Sequence, residues 1–267
     1  MLEVLSLDVF VKVIATIALV TTVTLVAERA TPFVAAMVAA LPISAGPAYL
    51  FIAMDHGSAS LADSALTGVG VNAVMAVFLY MAVVCIPKFG IARGLAAAVL
   101  VWVVGALSVA QAAPSLLGAI VLNRITFPIF TRLVRGRTAQ ATPAWVRLRL
   151  SDIALRALAV GAVVLAVLVV GRTIGAAVAG LTAPIPIVWI STAIVLYDRL
   201  GAEACVAVLA SGMLGMIGFC LALVALHWVT LSSGMAVGLS LALLVSVGWN
   251  VCLALLHRRG LLARRVR

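Results

Sequence analysis

Two stretches of this chain share one length, open on arginine, close on aspartate and carry proline inside an apolar run. The first, Arg29 to Asp55, reads RATPFVAAMVAALPISAGPAYLFIAMD, and the second, Arg172 to Asp198, reads RTIGAAVAGLTAPIPIVWISTAIVLYD. Each is long enough to cross a bilayer, which takes about 20 apolar residues. Proline lacks the N–H that a helix interior needs, and its ring clashes with the preceding turn. Both stretches are therefore predicted to be membrane helices broken near mid-depth, where unpaired backbone groups must face protein or water.

Composition closes off the soluble classes. Of the 267 residues, 66% are hydrophobic and 10% charged, against roughly 25% charged in a soluble domain. The net charge of +10 would suggest nucleic acid in a soluble chain. Here the arginines gather between Arg132 and Arg149 and in the tail from Arg258 to Arg267, as they do on cytoplasmic loops of membrane proteins. Cys85, Cys205, Cys220 and Cys252 lie in apolar segments without CxxC or metal-finger spacing and read as packing residues. The opening MLEVLSLDVF places Glu3 and Asp8 where a secretory leader is basic, so no cleavable leader is expected.

The repetition extends beyond the broken stretches. Asp8 and Lys12 return as Asp152 and Arg156, and Gly90-x-Ala92-x-Gly94-Leu95 returns as Gly234-x-Ala236-x-Gly238-Leu239. These pairs, with Arg29/Arg172 and Asp55/Asp198, all stand 143 or 144 positions apart. Asp63 is matched by Glu203 across a short gap. The expected organisation is a four-helix repeat at 1–112, a bridging helix at 113–134, a basic cytoplasmic loop at 135–150, a second four-helix repeat at 151–258 and a basic tail at 259–267. The bridging stretch has no counterpart in the second half and is interrupted by Asn123, Arg124 and Pro128.

Whether that stretch spans decides the architecture: an odd crossing inverts one repeat relative to the other. With nine spans, Arg29, Lys88, Arg93, the central basic loop, Arg199 and the tail share the cytoplasmic side, leaving Arg172 outside with Glu3, Asp8, Asp55 and Asp63. Eight spans would put Arg29, Lys88, Arg93 and Arg172 outside, against the positive-inside rule. The fold class expected is thus all-α: a polytopic bundle of about nine transmembrane helices, two inverted four-helix repeats and two proline-broken helices. The N-terminus should face out and the C-terminus the cytoplasm.

The second half carries Ala179-Gly180-Leu181, Pro184 and Pro186, then Asp198-Arg199-Leu200-Gly201-Ala202-Glu203-Ala204. These motifs resemble the GlpM-type family of small four-helix bacterial inner-membrane proteins. The first half departs from them, with Ala40 for the glycine and Asp55-His56-Gly57 in the turn. The resemblance implies a fused pair of such units in a bacterial inner membrane and implies no activity.

Candidate functional residues follow from the breaks. Half-helices beginning near Ser44 and Pro186 would present positive dipole ends, the arrangement by which inverted-repeat transporters bind solutes near the midplane. Pro42, Ser44, Gly46, Pro47, Tyr49, Asn72, Pro184, Pro186 and Trp189 are the substrate-binding candidates. Each also has a bland reading: a packing kink for the prolines, interhelical glue for Asn72, core packing for Tyr49 and Trp189. Asp55, Asp63, Arg124, Asp198 and Glu203 are coupling or gating candidates. Asp63 and Glu203 could equally be helix N-terminal carboxylates. Asp55 and Asp198 end helices where negative charge opposes the dipole, and so call for a partner such as Arg29 or Arg172. Arg124, which insertion scales penalise by about 2.5–3.5 kcal/mol at mid-depth, either faces a cavity or snorkels.

HExxH, GxSxG, P-loop and paired His/Cys spacings are missing, so neither an enzyme nor a cofactor is expected. The leading expectation is a secondary transporter of a small, anionic solute working by alternating access. A lipid or lipid-linked-carrier translocase and a non-transporting subunit of a membrane complex are the alternatives. Expected partners are the solute and the bilayer, with a homodimer as an option and nucleic acid not expected.

Overall fold

The structure is a computed structural model and describes residues 7–28, 45–113, 115–140, 150–175 and 180–259. Almost all of these residues are helical, with no strand among them: α1 (Leu7–Glu28), α2 (Ala45–Ala112), α3 (Leu116–Leu133), a 3₁₀ turn (Arg135–Gln140), α4 (Leu150–Thr173), α5 (Ile187–Ser233) and α6 (Met235–Arg258). Five helical stretches are long and apolar enough to cross a bilayer. Of these, α2 spans 68 residues, more than three times the roughly 20 that one crossing takes.

The surplus is taken up by glycine. α2 has non-helical backbone at Gly57 (φ 78°, ψ −176°) and Gly90 (φ 80°, ψ 172°), which divide it into rods 45–56, 58–89 and 91–112. α5 breaks in the same way at Gly201 (φ 82°, ψ −179°), giving rods 187–200 and 202–233, and Gly234 (φ 86°, ψ 167°) separates it from α6. All four occupy a region that only glycine enters at little cost. They form two pairs 144 positions apart with matching dihedrals.

The Gly-x-Ala-x-Gly motif has a division of labour. Gly90 and Gly234 turn the chain, and the second glycine, four residues on, admits close approach of the hairpin arms. A Cβ on Gly94 would lie 2.7 Å from the Ile86 backbone, and one on Gly238 would lie 2.2 Å from the Thr230 hydroxyl. Ile86 and Thr230 are again 144 apart. Midway along the hairpins, the Val74 side chain fills the space over Gly105, while the ring of Trp249 fills the space over Gly218. Residues 74 and 218, and 105 and 249, correspond at the same spacing, so one contact occurs twice with large and small partners exchanged.

Helices at corresponding positions pack against each other in opposite directions. The start of α1 meets the end of α4 through Asp8 and Arg172, and Ile17 lies over Gly161 further along. The 58–89 and 202–233 rods also run antiparallel: Ala62 meets His227 and Asn72 meets Met216. Their interface holds most of the core, with Phe78, Leu61, Leu79, Ile86, Leu209, Met213 and Leu223 fully buried.

α3 is a continuous helix through Pro128, begun by a Ser115 side chain that accepts from the Gly118 N–H at 3.2 Å. Asn123, Arg124 and Pro128 interrupt the apolar run of this stretch without breaking the helix. Asn123 turns inward to make hydrogen bonds, and the proline ring sits on an exposed face. α3 runs parallel to the 58–89 rod, bonded at Asn72–Asn123 and ring to ring at Tyr80–Phe130 (4.9 Å between centroids).

These contacts sort the charges to two ends. One end collects Asp8, Asp55, Asp63 and Arg172. The other collects Lys88, Arg93, Arg132, Arg135, Arg137, Arg199 and Arg259, with Asp152, Asp198 and Glu203 among them.

Candidate functional site

The second break is visible in full. Residues Gly180–Thr182 are helical, Ala183–Pro186 are not, and helix resumes at Ile187, where the Ile190 N–H donates to the Pro186 carbonyl at 2.8 Å. Two prolines within three residues cannot continue a helix, since each removes a donor. Ala183, Pro184 and Pro186 are buried, and a Cβ on Gly180 would lie 2.7 Å from the Ser64 backbone, so the break faces protein. Pro42, Ser44 and Arg29 lie outside the described residues. Described residues resume in helix at Ala45, with Gly46 exposed and Pro47 half-buried.

Tyr49 and Trp189 fix the depth of the 45–56 rod and of the 187–200 half-helix. The Tyr49 hydroxyl rests on Gly68, and the Trp189 ring rests on Gly212, 144 positions later. Gly68 and Gly212 flank the Asn72–Met216 contact at the midpoint of the two long rods. The 187–200 half-helix thus begins near the centre of the bundle and runs to one end, the 45–56 rod runs from the centre to the other, and Ile187 and Val188 pack against the apolar cluster that contains Phe51. Both aromatic rings are buried in packed core.

At the same level lies a buried polar cluster. Asn72 Nδ2 donates to Asn123 Oδ1 (2.9 Å) and to the Met216 carbonyl (3.1 Å). Asn123 Nδ2 donates to the carbonyls of Val69 (2.7 Å) and Ala119 (2.8 Å). Asn72 Oδ1 and the Tyr49 hydroxyl are buried without a hydrogen-bond partner among the described residues. Such atoms are costly unless something answers them. Asn123 was not among the residues nominated from sequence; its signal was the lone amide beside Arg124 on an apolar helix.

The acidic end carries a network joining both halves. Lys12, 5% exposed although one turn inside α1, bonds Asp55 and lies 3.0 Å from Asp8. Arg172 reaches from α4 to Asp8 (2.6 Å) and Asp55 (3.3 Å). Asp55 therefore has the arginine partner that its place at a helix C-terminus called for. The Lys12 hydrogen bond, aided by Arg172, holds the Asp8 carboxyl below the ordinary carboxylate value. Asp63 is exposed nearby.

The opposite end is built differently. Arg199 pairs with Asp152 at 2.6 Å, and beside them opens a cavity of about 280 Å³ lined by Ser151, Leu155, Ile194, Val195 and Asp198. Asp198 and Glu203 are exposed. Arg124 is exposed on the outer surface of α3, apart from the interface between the halves. The candidate residues thus gather in three places along the bundle: the acidic end, the centre and the basic end. No group of three or more His, Cys, Asp or Glu side chains that could hold a metal occurs among the described residues.

Set beside known protein families, curated proteins and solved structures, the chain matches none of them.

Proposed function

We propose that this protein is a secondary transporter of a small anionic solute, built from two inverted four-helix repeats joined by a bridging helix and working by alternating access. One observation carries the reading: the 187–200 half-helix starts at a proline break near the centre of the bundle, and the 45–56 rod leaves the same depth in the opposite direction. The positive dipole end at the start of the 187–200 half-helix suits an anion. The antiparallel packing of helices 144 positions apart, the matched glycine turns and the exchanged Val74/Gly105 and Gly218/Trp249 contacts support the inversion. A fusion of two GlpM-type units would account for that plan.

In this reading Gly46, Pro47, Pro184 and Pro186 shape the solute site. The acidic end, tied across the halves by Lys12, Asp55 and Arg172, is the closed external side. The basic end, with its cavity beside Asp198 and Arg199, faces the cytoplasm, as the positive-inside rule asks. The protein would then lie in a bacterial inner membrane with its N-terminus outside.

Purified protein in liposomes, loaded with candidate organic anions, tests this. Flux should appear for at least one anion, fall in Pro186→Ala and Asp198→Asn, and be absent from empty vesicles. Flux indifferent to both variants would remove the proposed site. A second reading, a subunit of a membrane complex, is favoured by one feature: the exposed Arg124.

A further inference from the structure

We propose that the outer face of α3 docks a transmembrane helix of a different protein, through a carboxylate that this partner carries near mid-membrane and that Arg124 receives. The proposal rests on α3 crossing the bilayer and is independent of transport.

Depth is set by the neighbouring residue. Asn123 is bonded to Asn72, midway along the 58–89 rod. Arg124 follows it but points away from the bundle, exposed, with no ion pair or hydrogen bond among the described residues. Around it Leu117, Val121, Ile125 and Pro128 are exposed and apolar. Arginine on an apolar surface at that depth is strongly disfavoured and marks a functional contact by default.

Two simpler ways to answer the charge fit poorly. Arg124 is close to the middle of an 18-residue helix, about 12 Å from either end at 1.5 Å per residue. Helical side chains lean toward their own N-terminus, which directs Arg124 toward the acidic end of the bundle and away from the basic end where anionic lipid would collect. A second copy offers no counter-charge either. The chain has eight acidic residues, and each stands near a helix end or before α1. A two-fold contact through α3 would also set Arg124 against Arg124. What remains is a foreign helix with Asp or Glu near its middle, which could take the guanidinium in a paired, charge-assisted geometry.

The test uses the full-length protein in phosphatidylcholine vesicles, with a fluorescent Leu/Ala-rich transmembrane peptide carrying one central Glu, and energy transfer as the readout. The Glu peptide should associate about tenfold more tightly than its Gln counterpart. That advantage should vanish in Arg124→Leu and survive in part in Arg124→Lys. Unaltered elution of each variant as a single species guards against misfolding. Equal association of the Glu and Gln peptides, or an advantage that persists in Arg124→Leu, would overturn the proposal. So would loss of the Glu preference on adding phosphatidylglycerol, which would make lipid the counter-ion. Labelling of Val121→Cys by a water-soluble maleimide would place α3 on the surface and sink the docking face outright. Loss of flux with peptide association intact would count against transport alone.

Discussion

Lys12 and Asp55 show how one residue can tie a membrane fold together. Asp55→Asn leaves a lysine that is 5% exposed with only the half-exposed Asp8 as counter-ion. Removing one member of a buried pair costs about 3–5 kcal/mol, and somewhat less here because Asp55 keeps some solvent contact. Asp55→Asn should therefore lower the melting temperature of the purified protein more than Asp8→Asn does. Equal losses would mean that Asp8 is the principal partner. Asp8 supplies a pH test. Its carboxyl is held below the ordinary value by Lys12, so its contribution is full above about pH 4 and disappears as pH falls through the lower folded-state value. Acid titration of the melting temperature should show that loss, and Asp8→Asn should flatten it. At the centre, Asn72→Leu should cost about 1–2 kcal/mol by stripping the donor from Asn123 Oδ1. The pair Asn72→Leu with Asn123→Leu should cost less than the sum of the singles, because no orphaned amide is left.

At the scale of elements, glycine divides long apolar runs into separate rods. Gly57 and Gly201 hold φ of 78° and 82° with open space where a Cβ would go. Alanine at either should therefore cost about 1–3 kcal/mol from backbone strain alone, measured by denaturation in detergent. A neutral substitution would mean that the turn relaxes. Gly94→Ala should destabilise for a different reason, since its Cβ would sit 2.7 Å from the Ile86 backbone and neither hairpin arm can give cheaply. The repeated Gly-x-Ala-x-Gly was legible as a pattern in the sequence. Its two physical jobs were not, because one depends on φ and the other on a neighbour eight residues away.

For the whole molecule, the opposed packing of corresponding helices sends the acidic and basic ends to opposite sides. In a background with the four native cysteines replaced, Asp63→Cys should react with an impermeant maleimide on intact cells. Gly136→Cys should react only after permeabilisation. The reverse pattern would turn the bundle over, and labelling of both on intact cells would break the nine-span plan.

The amino-acid sequence by itself determined the helical class, the bilayer-length segments, the 144-residue periodicity of charges and glycines, and the second proline break. Those are local properties: hydropathy, a missing N–H, the recurrence of residue types at one spacing. The tertiary structure alone decided that corresponding helices lie antiparallel, that Arg172 reaches Asp55 across the halves, that Asn123 points inward and that Arg124 points out. Such facts depend on which helix faces overlap, and a chain so uniformly rich in alanine, valine and leucine leaves too little periodic contrast along each helix to say which face meets which neighbour.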